Sequence, residues 1–293
     1  MQQIDIFGEL ESNNPLLRDK FIEPPFSVLD SKSGNWQRRK NLWKKIGIKS
    51  ELGRDATAFH MKAWGDKKRK ESKESGKNLP SDTSIFDPAL CELIYHWFCP
   101  KDGNIIDPFA GGSVRGVVAN YMNYNYTGVE LRQEQVNSNR KQGLDILELN
   151  NQPQWYVGDS NKVLDDFKNR YDFLFSCPPY ANLEVYSDLD GDISNMNYND
   201  FLIAYESIIL KSCRLLKKDS FACFVVGEVR DKKGNYIGFV PDTIKAFQKC
   251  GMKFYNEAIL LNSLASAPLR VNGNMKSKKL VKVHQNILIF KKQ

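Results

Sequence analysis

The chain has 293 residues, of which 41% are hydrophobic and 26% charged, values of a globular protein with core enough for one large domain or two small ones. No apolar run approaches the roughly 20 residues of a membrane-spanning helix. The first residues lack a basic-then-apolar secretion signal, so a soluble, cytoplasmic protein is expected. The 42 Lys and Arg against 35 Asp and Glu leave a net charge of +7, and with only three His and scattered Cys no metal site is expected.

The first 83 residues read as a basic, aromatic segment and a flexible linker, and residues 84–293 as the main domain. Residues 31–50 carry seven basic residues and no acid. Within them "NWQRRKNLWKKIGI" predicts a short basic helix over 36–46, which suits a polyanion partner. The stretch "WGDKKRKESKESGKNLPSD" (64–82) is polar, poor in apolar residues, and reads as linker. From residue 84 the pattern becomes regular. "DPALCELIYHWF" (87–98) predicts a helix, with Asp87 placed to cap it and Pro88 in its first turn. Seven strands are predicted: 104–109, 125–131, 155–159, 171–176, 221–229, 253–261 and 285–292. Helical stretches fall at 113–122, 132–143, 160–169, 199–216 and 240–250. Alternation of this kind gives an α/β fold, a doubly wound and mostly parallel seven-stranded sheet. The last two strands are separated only by the basic stretch 262–284, so the last is expected to run antiparallel. The six cysteines, at 91, 99, 177, 213, 223 and 250, mostly read as small buried hydrophobes.

Ligands bind such sheets at the carboxyl ends of the strands. Four ends are predicted to lie side by side there. "DPFAGGSVRG" follows the first strand, and its paired glycines permit close backbone approach. It lacks both the G-x-G-x-x-G spacing and the lysine of a phosphate loop. Glu130 ends the second strand, where an acid can accept from a ribose, and Asp159 ends the third. Together they outline a pocket for a nucleoside that need not carry phosphate. The fourth strand ends in "SCPPY" (176–180), where two prolines remove backbone donors and stiffen a tip bearing Tyr180. A free carbonyl and a flat ring at that tip suit a planar ligand with an exocyclic amine, as an extruded base has.

"DPFAGGS" followed by "SCPPY" resembles the amino-methylating DNA methyltransferases that use S-adenosylmethionine, whose motifs read D-P-F-x-G-[ST]-G and [DNS]-P-P-[YFW]. The likeness spans residues 84–293 and is to the phage and prophage DNA modification methylases, including the tail "LVKVHQNILIF". It implies a Rossmann-like methyltransferase fold and transfer of methyl to the exocyclic amine of a flipped base, adenine N6 slightly ahead of cytosine N4. By the same resemblance, Phe86, Asp107, Pro108, Phe109, Ala110, Gly111, Gly112, Glu130, Asp159 and Ser160 would bind the cofactor. Ser176, Cys177, Pro178, Pro179 and Tyr180 would hold the target base. Double-stranded DNA would be the substrate, met by Arg38 and Arg39 in one basic stretch and by Lys276, Lys278 and Lys279 in the other. A cognate restriction endonuclease is a partner such enzymes can have. Two departures stand out: the cofactor motif reads Gly-Gly-Ser, and Cys177 occupies the place of Asp, Asn or Ser. Either the Ser176 hydroxyl or the Cys177 carbonyl then takes the acceptor role, because a thiol bonds weakly. A nucleophilic Cys177 is disfavoured, since cytosine C5 enzymes use a Pro-Cys dipeptide that this chain lacks. The alternatives are an RNA or protein-glutamine methyltransferase, or an inactive relative that only binds DNA.

Overall fold

A computed structural model describes residues 17–49, 86–180, 187, 189–262, 264 and 267–293. The expected linker at 64–82 and the first two residues of the expected main domain, 84–293, lie outside these. Within them the elements run α1 (Leu17–Phe21), β1 (Val28–Asp30), α2 (Gly34–Ile46), α3 (Pro88–Phe98), β2 (Asn104–Asp107), α4 (Val114–Tyr121), β3 (Asn125–Glu130), α5 (Gln133–Ile146), β4 (Gln154–Val157), α6 (Ser160–Val163), β5 (Tyr171–Ser176), α7 (Tyr198–Leu215), β6 (Leu216–Val226), α8 (Phe239–Lys249), β7 (Met252–Leu261), α9 (Ala267–Lys276) and β8 (His284–Lys292).

The strands form one sheet in the order β1-β7-β8-β6-β5-β2-β3-β4. All neighbours are parallel except β8, which runs antiparallel to both β6 and β7. This is the doubly wound sheet with an antiparallel last strand that the alternation predicts. Its two faces are read off the pleat. Ile105, Phe173, Phe175, Cys223, Val225, Ile287 and Ile289 point to one face, against α3 and α4. Ile106, Leu174, Ala222, Phe224, Leu288 and Phe290 point to the other, against α7 and α8. Near-continuous apolar strands are what burial on both faces requires. Among the described residues, no helix is long and apolar enough to cross a membrane.

Two features differ from expectation. The sheet has eight strands, not seven, because β1 pairs in parallel with β7 through Val28, Leu29 and Asp30. Three residues are too few to show a period, and only Leu29 among them is buried. A helix, α9, lies inside the basic stretch; it hides Ala267 alone, so no amphipathic stripe announces it. The basic helix α2 is real, with Ser33 capping Trp36 N and Gly47 closing it at φ 114°. It buries Trp36, Arg39 and Trp43, one helical stripe, against the rest of the molecule.

Candidate functional site

The strand order sets the ends of β4, β3, β2 and β5 side by side. A cavity of about 640 Å³ opens over them. Its wall includes Phe86, Pro108, Phe109, Gly111, Gly112, Glu130, Asp159, Ser160, Cys177, Pro178, Pro179 and Tyr180. The glycine turn and the Pro-Pro-Tyr tip, distant in sequence, therefore share one space.

The glycine turn is built around a carboxylate. Gly111 has φ 53°, where an L side chain is strained, and a Cβ there would meet nothing nearer than Phe109 O at 4.0 Å. Open space thus lies over its backbone. Glu130 holds the turn: Gly111 N donates to its Oε2 at 3.0 Å, and Arg132 N to its Oε1 at 3.1 Å. Burial raises the Glu130 pKa, and these two N–H groups and the Arg132 guanidinium pull against the rise. Ser160 Oγ donates to Pro108 O at 2.5 Å, tying the end of β4 to the end of β2. Asp159 caps α6 through Asn161 N at 2.8 Å and faces the cavity with its remaining oxygen capacity.

Three expected cofactor or base ligands lie behind the wall instead. Asp107 is fully buried, and both of its oxygens are used. Oδ1 accepts from Phe109 N at 3.0 Å and Ser176 Oγ at 2.5 Å. Oδ2 accepts from Arg115 Nε at 2.6 Å and Tyr126 OH at 2.7 Å. Burial, then the Asp107 charge, push the Tyr126 phenol well up, so it stays protonated and donates. Ala110 is likewise enclosed. The Ser176 hydroxyl is buried and donates to Asp107, behind the cavity wall, whereas Cys177, Pro178, Pro179 and Tyr180 line the cavity. At that tip the Cys177 thiol lies 3.9 Å from Tyr180 OH, and Gln285 Nε2 donates to Tyr180 OH at 2.7 Å. The Tyr180 ring packs on Phe239, centroids 6.0 Å apart.

Of the expected phosphate contacts, Arg39 is a correction. It is buried and doubly bonded to Glu92, which also accepts from Trp43 Nε1 at 3.0 Å. A guanidinium on the Trp36–Trp43 stripe must face inward, and burying it requires a carboxylate partner. Arg38, one position earlier, is exposed, as are Lys276 and Lys278. Lys279 is half-buried, its ammonium folded against Gly234.

Sequence reasoning passes over several wall residues. Ser31, Gln37 and Lys40 come from the N-terminal segment, Arg115 and Arg132 from helix starts, Gly191 and Asp192 from a loop, and Arg270 and Gln285 from beyond β7. Asp192 adds negative charge beside Glu130, and a Cβ on Gly191 would come within 3.1 Å of Asp159. Of these, Gln285 alone carries a signal, since it lies in the tail that shares the family resemblance. Among the described residues, no group of three or more His, Cys, Asp or Glu side chains is placed to hold a metal ion.

No protein-family model matches the chain, and no curated protein matches it. Solved structures do. The chain is similar to TrmN from Thermus thermophilus at 10% identity and a TM-score of 0.47, over 72% of this chain and 50% of that one. It thus spans half the length of that structure. It is also similar to magnesium protoporphyrin IX methyltransferase (ChlM) from Synechocystis PCC 6803 with bound SAM, at 10% identity and a TM-score of 0.44, over 90% and 93% of the two chains. A third is a Thermus thermophilus protein provisionally described as a DNA modification methylase, at 20% identity and a TM-score of 0.35, over 46% and 51%.

Proposed function

We propose that the protein is an S-adenosylmethionine-dependent DNA methyltransferase acting on the exocyclic amine of a flipped base, adenine N6 slightly ahead of cytosine N4. One observation carries this reading: the Gly111–Gly112 turn with Glu130 and Asp159, and the Cys177–Tyr180 tip, line a single cavity. The residues fit the cofactor's chemistry. The open space over Gly111 admits close approach, and the Glu130 carboxylate, on the cavity wall, supports a role as acceptor from ribose hydroxyls. Asp159, on the same wall, would accept from an adenine amine. When bound, S-adenosylmethionine supplies a sulfonium methyl group for transfer.

The chain's own part is positioning. Tyr180, braced by Gln285 and Phe239, offers a stacking face, worth roughly 1–3 kcal/mol toward the few kcal/mol that extruding a base costs. The tip's backbone carbonyls accept from the target amine and favour the charge that develops on its nitrogen. No covalent enzyme intermediate is required. The N-terminal basic face at Arg38 and the basic stretch around α9 flank the cavity as phosphate contacts.

The test is methyl incorporation from labelled S-adenosylmethionine into DNA, RNA and protein, with mass spectrometry of digested nucleosides. N6-methyladenine in DNA is the expected product. N4-methylcytosine would overturn the choice of base, 5-methylcytosine alone the mechanism, and label confined to RNA or protein the substrate.

A further inference from the structure

We propose that the hairpin at 229–237, which follows β6, is a nucleic-acid-binding element that holds phosphates of the DNA strand carrying the target base. This rests on the reading of the protein as a DNA methyltransferase.

The hairpin is built by its own short chain. Arg230 and Tyr236 pair as an antiparallel bridge, and Ile237 N donates to Val229 O at 3.0 Å. Asp231 closes the loop. Its N–H donates to Asn235 O at 2.9 Å, its carbonyl accepts from Gly234 N at 3.0 Å, and its Oδ1 accepts from Asn235 N at 2.8 Å. Gly234 takes φ 92°, the left-handed conformation that tight hairpin loops require. The Arg230 guanidinium donates to Gly234 O at 2.6 Å and lies over the Tyr236 ring, its Cζ 3.9 Å from the centroid. Val229 is buried in the core on the α7–α8 face of the sheet, which roots the loop. Lys232 and Lys233 are left exposed at the tip.

The position and charge of this hairpin suit a phosphodiester strand. β6 lies beside β5 and parallel to it, so the hairpin rises next to the Cys177–Tyr180 tip. A Cβ on Gly227 would lie 3.5 Å from Tyr180 Cε2 and 3.6 Å from Lys282 Nζ, which puts that ammonium beside the same ring. On the hairpin's flank, Lys279 is folded against Gly234. Cations thus run from Lys232 and Lys233 past Lys279 to Lys282. Among the described residues, the ammonium groups of Lys232, Lys233 and Lys282 have no hydrogen-bonded or ion-paired acceptor. The acids of the loop are engaged elsewhere: Asp231 in the turn, and Glu228 with Gly238 N at 3.3 Å and Val240 N at 2.8 Å, at the start of α8. Burial lowers the Lys282 pKa against the pull of Glu228, and burial and then Lys282 lower that of His284. Positive charge that the loop's own acids do not answer, in line with an aromatic ring, is the footprint of a nucleic acid. An extruded base brings its own sugar and phosphates with it, so the cations nearest Tyr180 meet its strand. Helix α2 packs through Trp36 and Trp43 with the core on the other face, so hairpin and α2 flank the cavity from opposite faces of the sheet.

Fluorescence anisotropy with duplex DNA over a salt series tests the hairpin. In Lys232→Gln/Lys233→Gln the slope of log affinity against log salt should shrink by roughly 0.9 for each lysine, or about fivefold weaker affinity per lysine near roughly 0.15 M salt. Lys232→Arg/Lys233→Arg should keep the slope, since charge alone is at stake. Both variants should bind S-adenosylhomocysteine as the unaltered protein does, because the two side chains are exposed. Neutral methylphosphonate linkages, placed in one strand at a time, identify the strand. Next to the target base in its own strand, they should weaken the unaltered protein and cost the Gln variant less. An unchanged slope in the Gln variant overturns the proposal. So does a methylphosphonate effect confined to the opposite strand, or a loss of affinity seen with RNA and not with DNA. Each of these results leaves methyl transfer to DNA standing. If the unaltered protein transfers no methyl to DNA, the underlying reading fails, and the hairpin's role with it.

Discussion

Asp107 shows how one side chain can organise a cavity from behind its wall. Its four hydrogen bonds lock together the β2 end, the β5 end, Tyr126 and Arg115. Replacing it by Ala leaves the Arg115 guanidinium, whose side chain is 6% exposed, buried without its carboxylate. That should cost about 3–5 kcal/mol in denaturant unfolding. Glu130 is the complementary case, an acid that both builds the turn and faces the cavity. Burial raises its folded pKa above the ordinary 4.5, so in the window between the two values the native state holds the extra proton. Two consequences have opposite signs. Stability from this group is present below the unfolded pKa and is lost as pH rises through the folded value. On the proposed reading the charged form accepts from the nucleoside, so nucleoside affinity should fall as pH drops through that same raised value. Titration calorimetry across this range should show the fall, and Glu130→Gln should bind more weakly, by roughly 1.5–3 kcal/mol, with a flat pH profile.

At the scale of elements, α2 changes the meaning of the N-terminal basic stretch. One helix carries two populations of cations: Arg39 turned inward with Trp36 and Trp43, and Arg38, Lys44 and Lys45 turned to solvent. Their predicted behaviour separates cleanly. Arg39→Ala strands Glu92, which has no exposure, and should cost about 3–5 kcal/mol of stability. Its unfolding midpoint should drop while the salt dependence of nucleic-acid binding by the folded variant stays as it was. An unchanged midpoint would mean that the pair is not buried as described.

For the whole molecule, the reading as a DNA enzyme places the duplex over the cavity mouth, between the exposed face of α2 and the stretch around α9. Phosphate contacts release counterions, so affinity should fall linearly in log salt with a slope of roughly 0.9 per contact. Neutralising Lys276, Lys278 and Lys279 together should reduce that slope by roughly 0.9 for each lysine that meets a phosphate. Fluorescence anisotropy with duplex DNA over a salt series measures it, and an unaltered slope would remove α9 from the interface. Lys279 is the weakest of the three candidates, because its ammonium already lies against Gly234.

How much of this was written in the chain follows from the range of each interaction. The alternation of strands and helices, the antiparallel last strand, the capped start of α3 and the turn chemistry of the Gly111–Gly112 and Pro178–Pro179 tips are legible in sequence. Each depends on residues a few positions apart. Sequence alone also determined which chemistry the strand ends carry: acids on β3 and after β4, an aromatic after β5. Tertiary structure decided which of those groups face the cavity. Asp107 and Ser176 sit on expected tips, yet they bond each other behind the wall, because pleat and register turn them inward. Arg39 looks like its neighbour Arg38 until the Trp36–Trp43 stripe finds a partner in α3 and its Glu92. Lys40, Asp192 and Gln285 reach one cavity from segments that no short-range pattern connects. Burial and convergence are properties of the packed sheet, and a one-dimensional pattern carries them only where a single element's period happens to reveal which side is covered.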